Sequence, residues 1–356
     1  MRNKDDCMLD LHHPETQFLL DALRQASIII QQVQAELVTA VLTKDDRSPV
    51  TVADYACQAL VAERLSRAFP ADLLVAEENA KALRDPAGSV VLERVTYFLK
   101  GFLPAVTANQ ACDWIDYGRA QPGGIRPPVR NTANLRLAVQ PGERFWTLDP
   151  LDGTKGFLRG DQYVVALALV EGGRVQLGGL GCPKLNPACE PAMDGSGSLV
   201  IARRDQGAWI APLNAPDNFT RLQVSDCRQA EQARLLRSVE SGHTDVSKVD
   251  QFVEAMGIAA PPLPMDSQAK YVLLAGGRGE LVVRLLTPTK PDYREKIWDQ
   301  AAGSLIVAEA GGCISDLDGK ELDFRTGRTL ANNRGILASN GYLHAAALQA
   351  LGRVAA

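Results

Sequence analysis

Two closely spaced aspartates are the most informative chemical feature of this sequence. Asp149 and Asp152 lie in the stretch LDPLDGTKGF, residues 148–157, with no Lys or Arg between them. Two carboxylates held a few Å apart repel, and one tends to stay protonated unless a cation lies between them. A hard divalent cation such as Mg2+ prefers oxygen ligands, and the backbone carbonyl of Leu151 offers another. The stretch therefore predicts a cation site.

The residues that follow add groups suited to a phosphate. Gly153 has no side chain, so a phosphate can approach the main chain closely, and Thr154 supplies a hydroxyl. Backbone N–H groups at Gly153–Thr154, and at the start of a helix near Asp299, can bind an anion. The stretch is thus interpreted as a combined cation and phosphate site.

Three more acidic residues fall at predicted element ends, and each has a purely structural alternative. Asp54 comes third after Thr51 in TVAD, which fits a capping box. Glu77 can belong to a solvated turn, and Asp299 can complement a helix dipole. Taken singly, none of them identifies a site.

Composition excludes several classes of protein. The chain has 356 residues, 46% of them hydrophobic and 22% charged, and its formal net charge of -4 offers no global attraction to nucleic acid or acidic membranes. It has neither an apolar run of transmembrane length nor the apolar core of a signal peptide. Seven cysteines without a CxxC pair indicate free thiols in a reducing compartment, so a cytoplasmic location is expected.

The elements that position these residues are read from apolar periodicity. Two long helices are predicted at 15–37 and 51–69, and a strand ends in the glutamates of DLLVAEEN. Residues 80–144 look less regular, whereas 144–148 and the hairpins that follow read as strands. From about 230, strands and helices alternate. This pattern predicts an α+β N-terminal lobe, 1–230, with the cation and phosphate site, and an α/β C-terminal lobe, 231–356, with Asp299.

Three stretches, in the order VAEEN, DPLDGT and WDQAAGSLIVAEAGG, resemble the inositol monophosphatase superfamily of metal-dependent phosphatases. Within it, DPLDGTKGFLRGDQYVVALAL and EKIWDQAAG resemble the 3'(2'),5'-bisphosphate nucleotidases. Inositol monophosphatases proper typically have Thr-Asn-Phe where this chain has Lys155-Gly156-Phe157. The resemblance covers most of 15–78 and 143–345. It implies a layered αβαβα sandwich of the inositol monophosphatase and fructose-1,6-bisphosphatase type, an α+β fold.

The resemblance also implies three sets of functional residues. The ligands of two or three Mg2+ ions would be Glu77, Asp149, the Leu151 carbonyl, Asp152 and Asp299. Water activation would fall to Asp54 and Thr154, joined by a hydrogen bond. Substrate contacts would come from Gly153, Thr154, His243, Ser267, Lys270 and Arg284.

Three departures from the family pattern accompany these assignments. Leu151 stands where isoleucine is usual, and Gln300 stands where related nucleotidases often have histidine. The segment between Arg284 and Asp299 is also slightly longer than in relatives. The first matters little if only the carbonyl coordinates, whereas the second indicates different surroundings for Asp299.

The chemistry of these residues agrees with the reaction that the resemblance implies. Hydrolysis of a phosphate monoester needs an attacking water, neutralised phosphoryl oxygens and help for the leaving oxygen, and two metals can supply all three. The predicted reaction converts adenosine 3',5'-bisphosphate to AMP and phosphate. Alternative substrates are inositol polyphosphates and adenylyl sulfate 3'-phosphate, and the non-enzyme alternative is a metal-binding regulatory protein. The expected partner is a small nucleotide bisphosphate, without a nucleic acid polymer or membrane.

Overall fold

The computed structural model describes residues 9–38, 48–120, 144–192, 194–239, 246–286 and 292–354. None of the helices in these ranges is both long and apolar enough to cross a bilayer.

The first sheet is a meander of seven described strands in sequential order. The strands are β1 (Leu73–Ala76), β2 (Arg144–Asp152), β3 (Val164–Glu171), β4 (Arg174–Cys182), β5 (Ser198–Arg203), β6 (Ala208–Pro212) and β7 (Thr220–Arg221). β1 pairs in parallel with β2, and every later neighbour is antiparallel. β2 is longer than the predicted 144–148, and its register with β3 shifts between Asp149 and Asp152. This irregularity turns the end of β2 away from regular pairing.

The second sheet has five described strands in the order β11-β12-β10-β8-β9. They are β8 (Leu235–Arg237), β9 (Leu263–Pro264), β10 (Leu281–Arg284), β11 (Cys313–Ser315) and β12 (Ile336–Ser339). The chain passes from the first sheet to the second between Arg221 and Leu235. The lobe boundary suggested by the sequence, between 230 and 231, lies in this connection and stays a prediction.

Helices cover both sheets. They are α1 (Pro14–Val33), α2 (Ser48–Ala68), α3 (Lys81–Arg84), α4 (Ser89–Lys100), α5 (Ala108–Tyr117), α6 (Thr154–Arg159), α7 (Val246–Met256), α8 (Ala269–Ala275), α9 (Ala301–Glu309) and α10 (His344–Val354). α1 ends in a π-helical turn, Gln34–Val38, so the predicted helix at 15–37 is confirmed apart from its last turn.

The elements stack in five layers. α1 and α2 pack on one face of the first sheet, and α9 packs on the other. α8 and α9 lie between the two sheets, and α7 and α10 cover the far side of the second sheet. Three apolar clusters fill the spaces between layers. The predicted αβαβα sandwich is thereby confirmed.

The packing of α1 against β4 shows how the sequence determines the contact between the first two layers. Leu19, Leu23 and Ile30 recur at helical spacing on α1 and are fully buried. They can approach β4 closely because Gly179 has no side chain there. A Cβ at Gly179 would lie 2.5 Å from Leu19 Cδ2 and 2.8 Å from Leu23 Cδ1. The glycine-rich run of β4 therefore admits the first helix layer.

Two local expectations are wrong. Residues 80–120, the described part of the region 80–144 apart from Arg144, are more regular than predicted, since they include α4 and α5. Thr107 begins α5 with a capping box, accepting from Gln110 N while Gln110 Oε1 accepts from Thr107 N. The capping box expected at Thr51 does not form, because α2 already begins at Ser48 and Thr51 lies inside it.

Candidate active site

The acidic residues predicted as ligands come from three places that converge. Glu77 follows β1 directly, and Asp149 and Asp152 lie at the end of the adjacent β2. Since β1 and β2 run in parallel, their carboxyl ends meet at one edge of the sheet. Asp299 lies just before α9, which packs on the same sheet.

The end of β2 fixes its two aspartates differently. Asp149 is 3% exposed, and its Oδ1 accepts a hydrogen bond from Leu151 N at 3.1 Å, as in an Asx turn. Asp152 faces the residue that precedes α8, where its Oδ2 accepts from Gln268 N at 2.6 Å. The two carboxylates are therefore held by main-chain donors and cannot separate freely.

The electrostatics of this cluster show excess negative charge. Burial, and then the charges of Glu77, Asp152, Asp299 and Asp54, raise the pKa of Asp149 well above its usual range. Burial raises the pKa of Asp299 to about 8, although the charge of Arg284 opposes this shift. Burial and the charges of Glu78 and Asp152 raise the pKa of Glu77 to about 7.

The Glu77 side chain lines the pocket and is open to solvent there. Within the described ranges, no group of three acidic, histidine or cysteine side chains is already arranged to coordinate a metal ion. The donors are nevertheless carboxylate oxygens whose charges oppose one another's ionisation, which is the environment that a hard divalent cation neutralises.

Asp54 and Thr154 are not joined as expected. Asp54 is 7% exposed, inside α2, and burial with the charges of Glu78 and Glu77 raises its pKa well above the usual range. Thr154 is exposed in the pocket at the start of α6. No hydrogen bond links these two described residues, and Asp54 does not line the pocket. The predicted bond is therefore wrong; Asp54 instead lies close enough to Glu78 and Glu77 for their charges to act on it.

Gln58, which was not predicted from the sequence, fixes the backbone of Glu78, next to Glu77. It lies one turn after Asp54 on α2 and is fully buried. Its Oε1 accepts from Glu78 N at 2.9 Å, and its Nε2 donates to Glu78 O at 2.8 Å and to Ile115 O at 2.7 Å. The spacing i to i+4 from Asp54 was the available signal, since it places both polar side chains on one helix face.

A basic and hydroxylic wall faces the acidic cluster. Lys270 Nζ donates to Ser238 Oγ at 3.1 Å and to Met265 O at 3.3 Å. Burial lowers the pKa of Lys270 to about 8, although the Asp152 carboxylate opposes the shift. Ser267 has a φ of +60°, a rare conformation for serine, and is 8% exposed. Such strain is common at functional sites.

Gly153 and Ser267 meet across the pocket. Gly153 has a φ of +95°, which favours glycine, and a Cβ there would lie 2.9 Å from Ser267 Cβ. Glycine at this position therefore allows the end of β2 to approach the start of α8.

Arg284 is held by a buried polar chain that the sequence did not reveal. Its Nε lies 3.0 Å from Glu295 Oε1, close enough for an ion pair though not aligned for a hydrogen bond. Gln300 Nε2 donates to Glu295 Oε2 at 2.9 Å, and Tyr271 OH donates to Gln300 Oε1. Burial opposes the charge of Arg284, yet Glu295 and Asp299 raise its pKa overall. Gln300, where relatives often have histidine, thus supports the carboxylate that pairs with Arg284.

One pocket of about 340 Å³ brings most of the predicted site residues together. Its lining includes Glu77, Asp149, Leu151, Asp152, Gly153, Thr154, Ser267, Lys270, Arg284 and Asp299. His243 lies outside the described residues.

Comparison with solved structures defines the structural class. An IMPase from Thermotoga maritima superposes with a TM-score of 0.59 at 19% identity, covering 96% of this chain and 98% of that chain. An inositol monophosphatase from Anabaena (Nostoc) sp. PCC 7120 gives a TM-score of 0.58 at 18% identity, covering 95% and 97%. The chain therefore has the inositol monophosphatase fold.

Sequence comparison gives the family. The sequence model of the inositol monophosphatase family matches residues 12–355, and the chain belongs to that family. It is 36% identical to a 3'(2'),5'-bisphosphate nucleotidase of Schizosaccharomyces pombe, over 91% of both chains. It is 38% identical to a protein of the same name from Emericella nidulans, over 89% of this chain and 92% of that one.

Proposed function

We propose that the chain is a Mg2+-dependent phosphomonoesterase that hydrolyses adenosine 3',5'-bisphosphate to AMP and phosphate. The observation that carries this proposal is a single pocket with carboxylates on one wall and Lys270 and Arg284 on the other. A substrate with two separated phosphates matches both walls. Similarity to proteins named 3'(2'),5'-bisphosphate nucleotidase supports the choice of nucleotide.

The acidic wall would hold the cations. Its donors are the carboxylates of Glu77, Asp149, Asp152 and Asp299 with the Leu151 carbonyl, and we infer two or three Mg2+ ions. When bound, Mg2+ would neutralise the phosphoryl oxygens and make a water more acidic.

Residues beside this wall would orient the water and the reacting phosphate. Thr154 exposes its hydroxyl in the pocket, and we assign it to hold the attacking water. Asp54 is buried and interacts electrostatically with Glu78 and Glu77, so we assign it an indirect part in water activation, through the charge of these glutamates. Gly153 would let the phosphate approach the main chain.

The basic wall would hold the phosphate that does not react. Lys270 is a buried ammonium group that can stay charged at neutral pH, and Arg284 carries a permanent charge. Ser267 is one turn from Lys270 and lines the same pocket. His243 completes the proposed nucleotide contacts on the resemblance alone. We assign these residues to substrate binding rather than to bond breaking.

The state of the cysteines supports a proposal about the cellular setting. The six described cysteines are free thiols, which suits a reducing compartment, and we propose a cytoplasmic location. The partner is the small nucleotide itself.

Phosphate release with Mg2+ tests the proposed function. The substrates to compare are adenosine 3',5'-bisphosphate, adenylyl sulfate 3'-phosphate, inositol 1-phosphate and inositol 1,4-bisphosphate. We expect the highest kcat/KM with adenosine 3',5'-bisphosphate, and loss of turnover in Asp152→Asn. A preference for an inositol phosphate would overturn the nucleotide assignment. Mg2+ binding without any turnover would instead favour the regulatory alternative.

A further inference from the structure

Arg328 lies in the connection between β11 and β12, against the segment that leads to Asp299. Ile297 N donates to Arg328 O at 3.2 Å, and Leu330 N donates to Glu295 O at 2.9 Å. Lys296 and Thr329 pair in an antiparallel bridge between these bonds. The main chain of Arg328 is therefore fixed to the three residues that precede Trp298.

The side chain of Arg328 then crosses to the first sheet. Its guanidinium carbon lies 4.7 Å from the centre of the Trp298 ring, a cation–π contact. Beyond the ring, its Nη2 donates to Ala76 O, and its Nη1 donates to Gly118 O at 3.4 Å. Ala76 is the last residue of β1 and directly precedes Glu77. One guanidinium thus contacts the neighbour of Glu77 and the neighbour of Asp299.

The chemistry of this contact requires arginine. Its planar group can stack on an indole while its N–H fork reaches two carbonyls, whereas a lysine ammonium has no plane to stack. Both acceptors are neutral carbonyls, and no carboxylate within the described ranges forms an ion pair with Arg328. Burial lowers its pKa, and the nearby charge of Glu77 opposes that shift. Arg328 therefore supplies both a tether and a positive charge beside the acidic cluster.

We propose that Arg328 is a positioning residue that sets the separation of Glu77 and Asp299, and thereby the affinity of the acidic wall for divalent cations. Glu77 follows β1 of the first sheet and Asp299 precedes α9, which packs on that sheet, so their separation depends on how this helix docks on the sheet. Arg328 donates to Ala76 O and also stacks on the Trp298 ring, so the same side chain contacts both layers. The inference rests on the proposed function in one respect, that these carboxylates bind Mg2+.

Mg2+ binding to chelator-treated protein, measured by titration calorimetry, tests this role directly. We expect Arg328→Met to raise the Kd for Mg2+ about 10- to 100-fold, the usual effect of removing an outer partner of a metal ligand. Arg328→Lys, which keeps the charge and one donor, should fall between wild type and Arg328→Met. Arg325→Met is the matched control, because Arg325 is in the same loop, 71% exposed and paired with Asp323. It should bind Mg2+ like wild type.

The design separates a positioning role from a merely structural one. A structural role would lower Tm without changing the Kd of the folded protein. If Arg328→Met and Arg328→Lys both bind Mg2+ with wild-type affinity, the inference is overturned, whatever their Tm. Should Arg328→Met fail to fold, Arg328→Lys alone decides. If wild type binds no Mg2+, the proposed function fails, independently of any variant.

Discussion

At the scale of a single residue, the burial of Lys270 should make substrate affinity depend on pH. Its ammonium lies in the pocket wall, and burial lowers its pKa to about 8. Below that pH the group is charged and can pair with a phosphate. Above it the group becomes neutral, so affinity for the second phosphate should fall as pH rises.

We therefore expect kcat/KM for adenosine 3',5'-bisphosphate to decline as pH rises through about 8, since kcat/KM reports ionisation in the free enzyme. Full loss of a charged hydrogen bond is worth about 1.5–3 kcal/mol, or roughly 10- to 100-fold. Lys270→Arg should remove the decline, because arginine stays charged. Identical profiles for wild type and Lys270→Arg above pH 8 would contradict the assignment.

Asp152 and Thr154 should separate metal binding from turnover. Asp152→Asn keeps an oxygen that can accept from Gln268 N but loses the charge, so Mg2+ affinity and turnover should both fall. Thr154→Ala touches neither the carboxylates nor their donors, so it should lower kcat and leave Mg2+ affinity close to wild type. Titration calorimetry and kcat on both variants provide the comparison. Wild-type kcat in Thr154→Ala would show that its hydroxyl does not hold the water.

At the scale of elements, the site depends on how closely the end of α5 approaches the end of β1. Gly118 caps α5 and Gly101 caps α4, both with ordinary right-handed backbone angles. A Cβ at Gly118 would lie 2.7 Å from Gln58 Nε2 and 2.8 Å from Ala76 Cβ. At Gly101 the nearest atom, Phe98 O, would be 3.4 Å away. Gly118 and Gly101 thus share a helix-end position and backbone conformation but differ in the space available for a Cβ, so substitutions at the two positions can be compared directly.

Gly118→Ala should destabilise the protein by about 1–3 kcal/mol, the usual cost of overpacking, and should weaken Mg2+ binding by displacing Glu77. Gly101→Ala should be neutral or stabilising by up to about 1 kcal/mol, since its backbone suits alanine. Urea unfolding and Mg2+ titration of both variants measure the two effects. Equal free energies of unfolding for the two variants would show that the contact at Gly118 is not tight.

The elements also show what the sequence could and could not predict. β1 and β2 were readable from apolar runs that end in acidic residues, whereas the grouping of Glu77 with Asp149 came only from the family resemblance. α5 was missed although Thr107 and Gln110 form a capping box. Gln58 had only its i to i+4 spacing from Asp54 as a signal, and Arg328 had no local signal, because it donates to backbone groups distant in sequence. Arg328 and Ala76, for example, are 252 residues apart.

The whole molecule should be stabilised by the cation that the acidic wall is proposed to bind. Four carboxylates near one another repel in the folded state but not in the unfolded chain, so a divalent cation should bind only the folded form. A ligand present at 100 times its Kd adds about 2.7 kcal/mol to the free energy of unfolding.

Chelator should therefore lower Tm and abolish phosphate release, and Mg2+ should restore both. Ca2+ should restore Tm better than activity, because it tolerates looser coordination. The Mg2+-dependent rise in Tm should shrink in Asp152→Asn and persist in Glu321→Gln, whose carboxylate is 84% exposed on a distant loop. Full turnover in excess chelator would overturn the metal-dependent mechanism.

The tether between Arg328 and Ala76 also bears on synthesis of the chain. At roughly 5–20 residues per second, the ribosome adds the intervening 252 residues in roughly 13–50 s. Once residue 152 has been added, the nascent chain carries Glu77, Asp149 and Asp152, but it still lacks α9 and Arg328. The face of the first sheet that α9 covers stays bare until α9 has been made. The growing polypeptide thus passes through a long interval in which its acidic groups are made but the cation site is not, and a ribosome stalled before residue 328 would hold a chain that cannot yet capture Mg2+ in its final geometry.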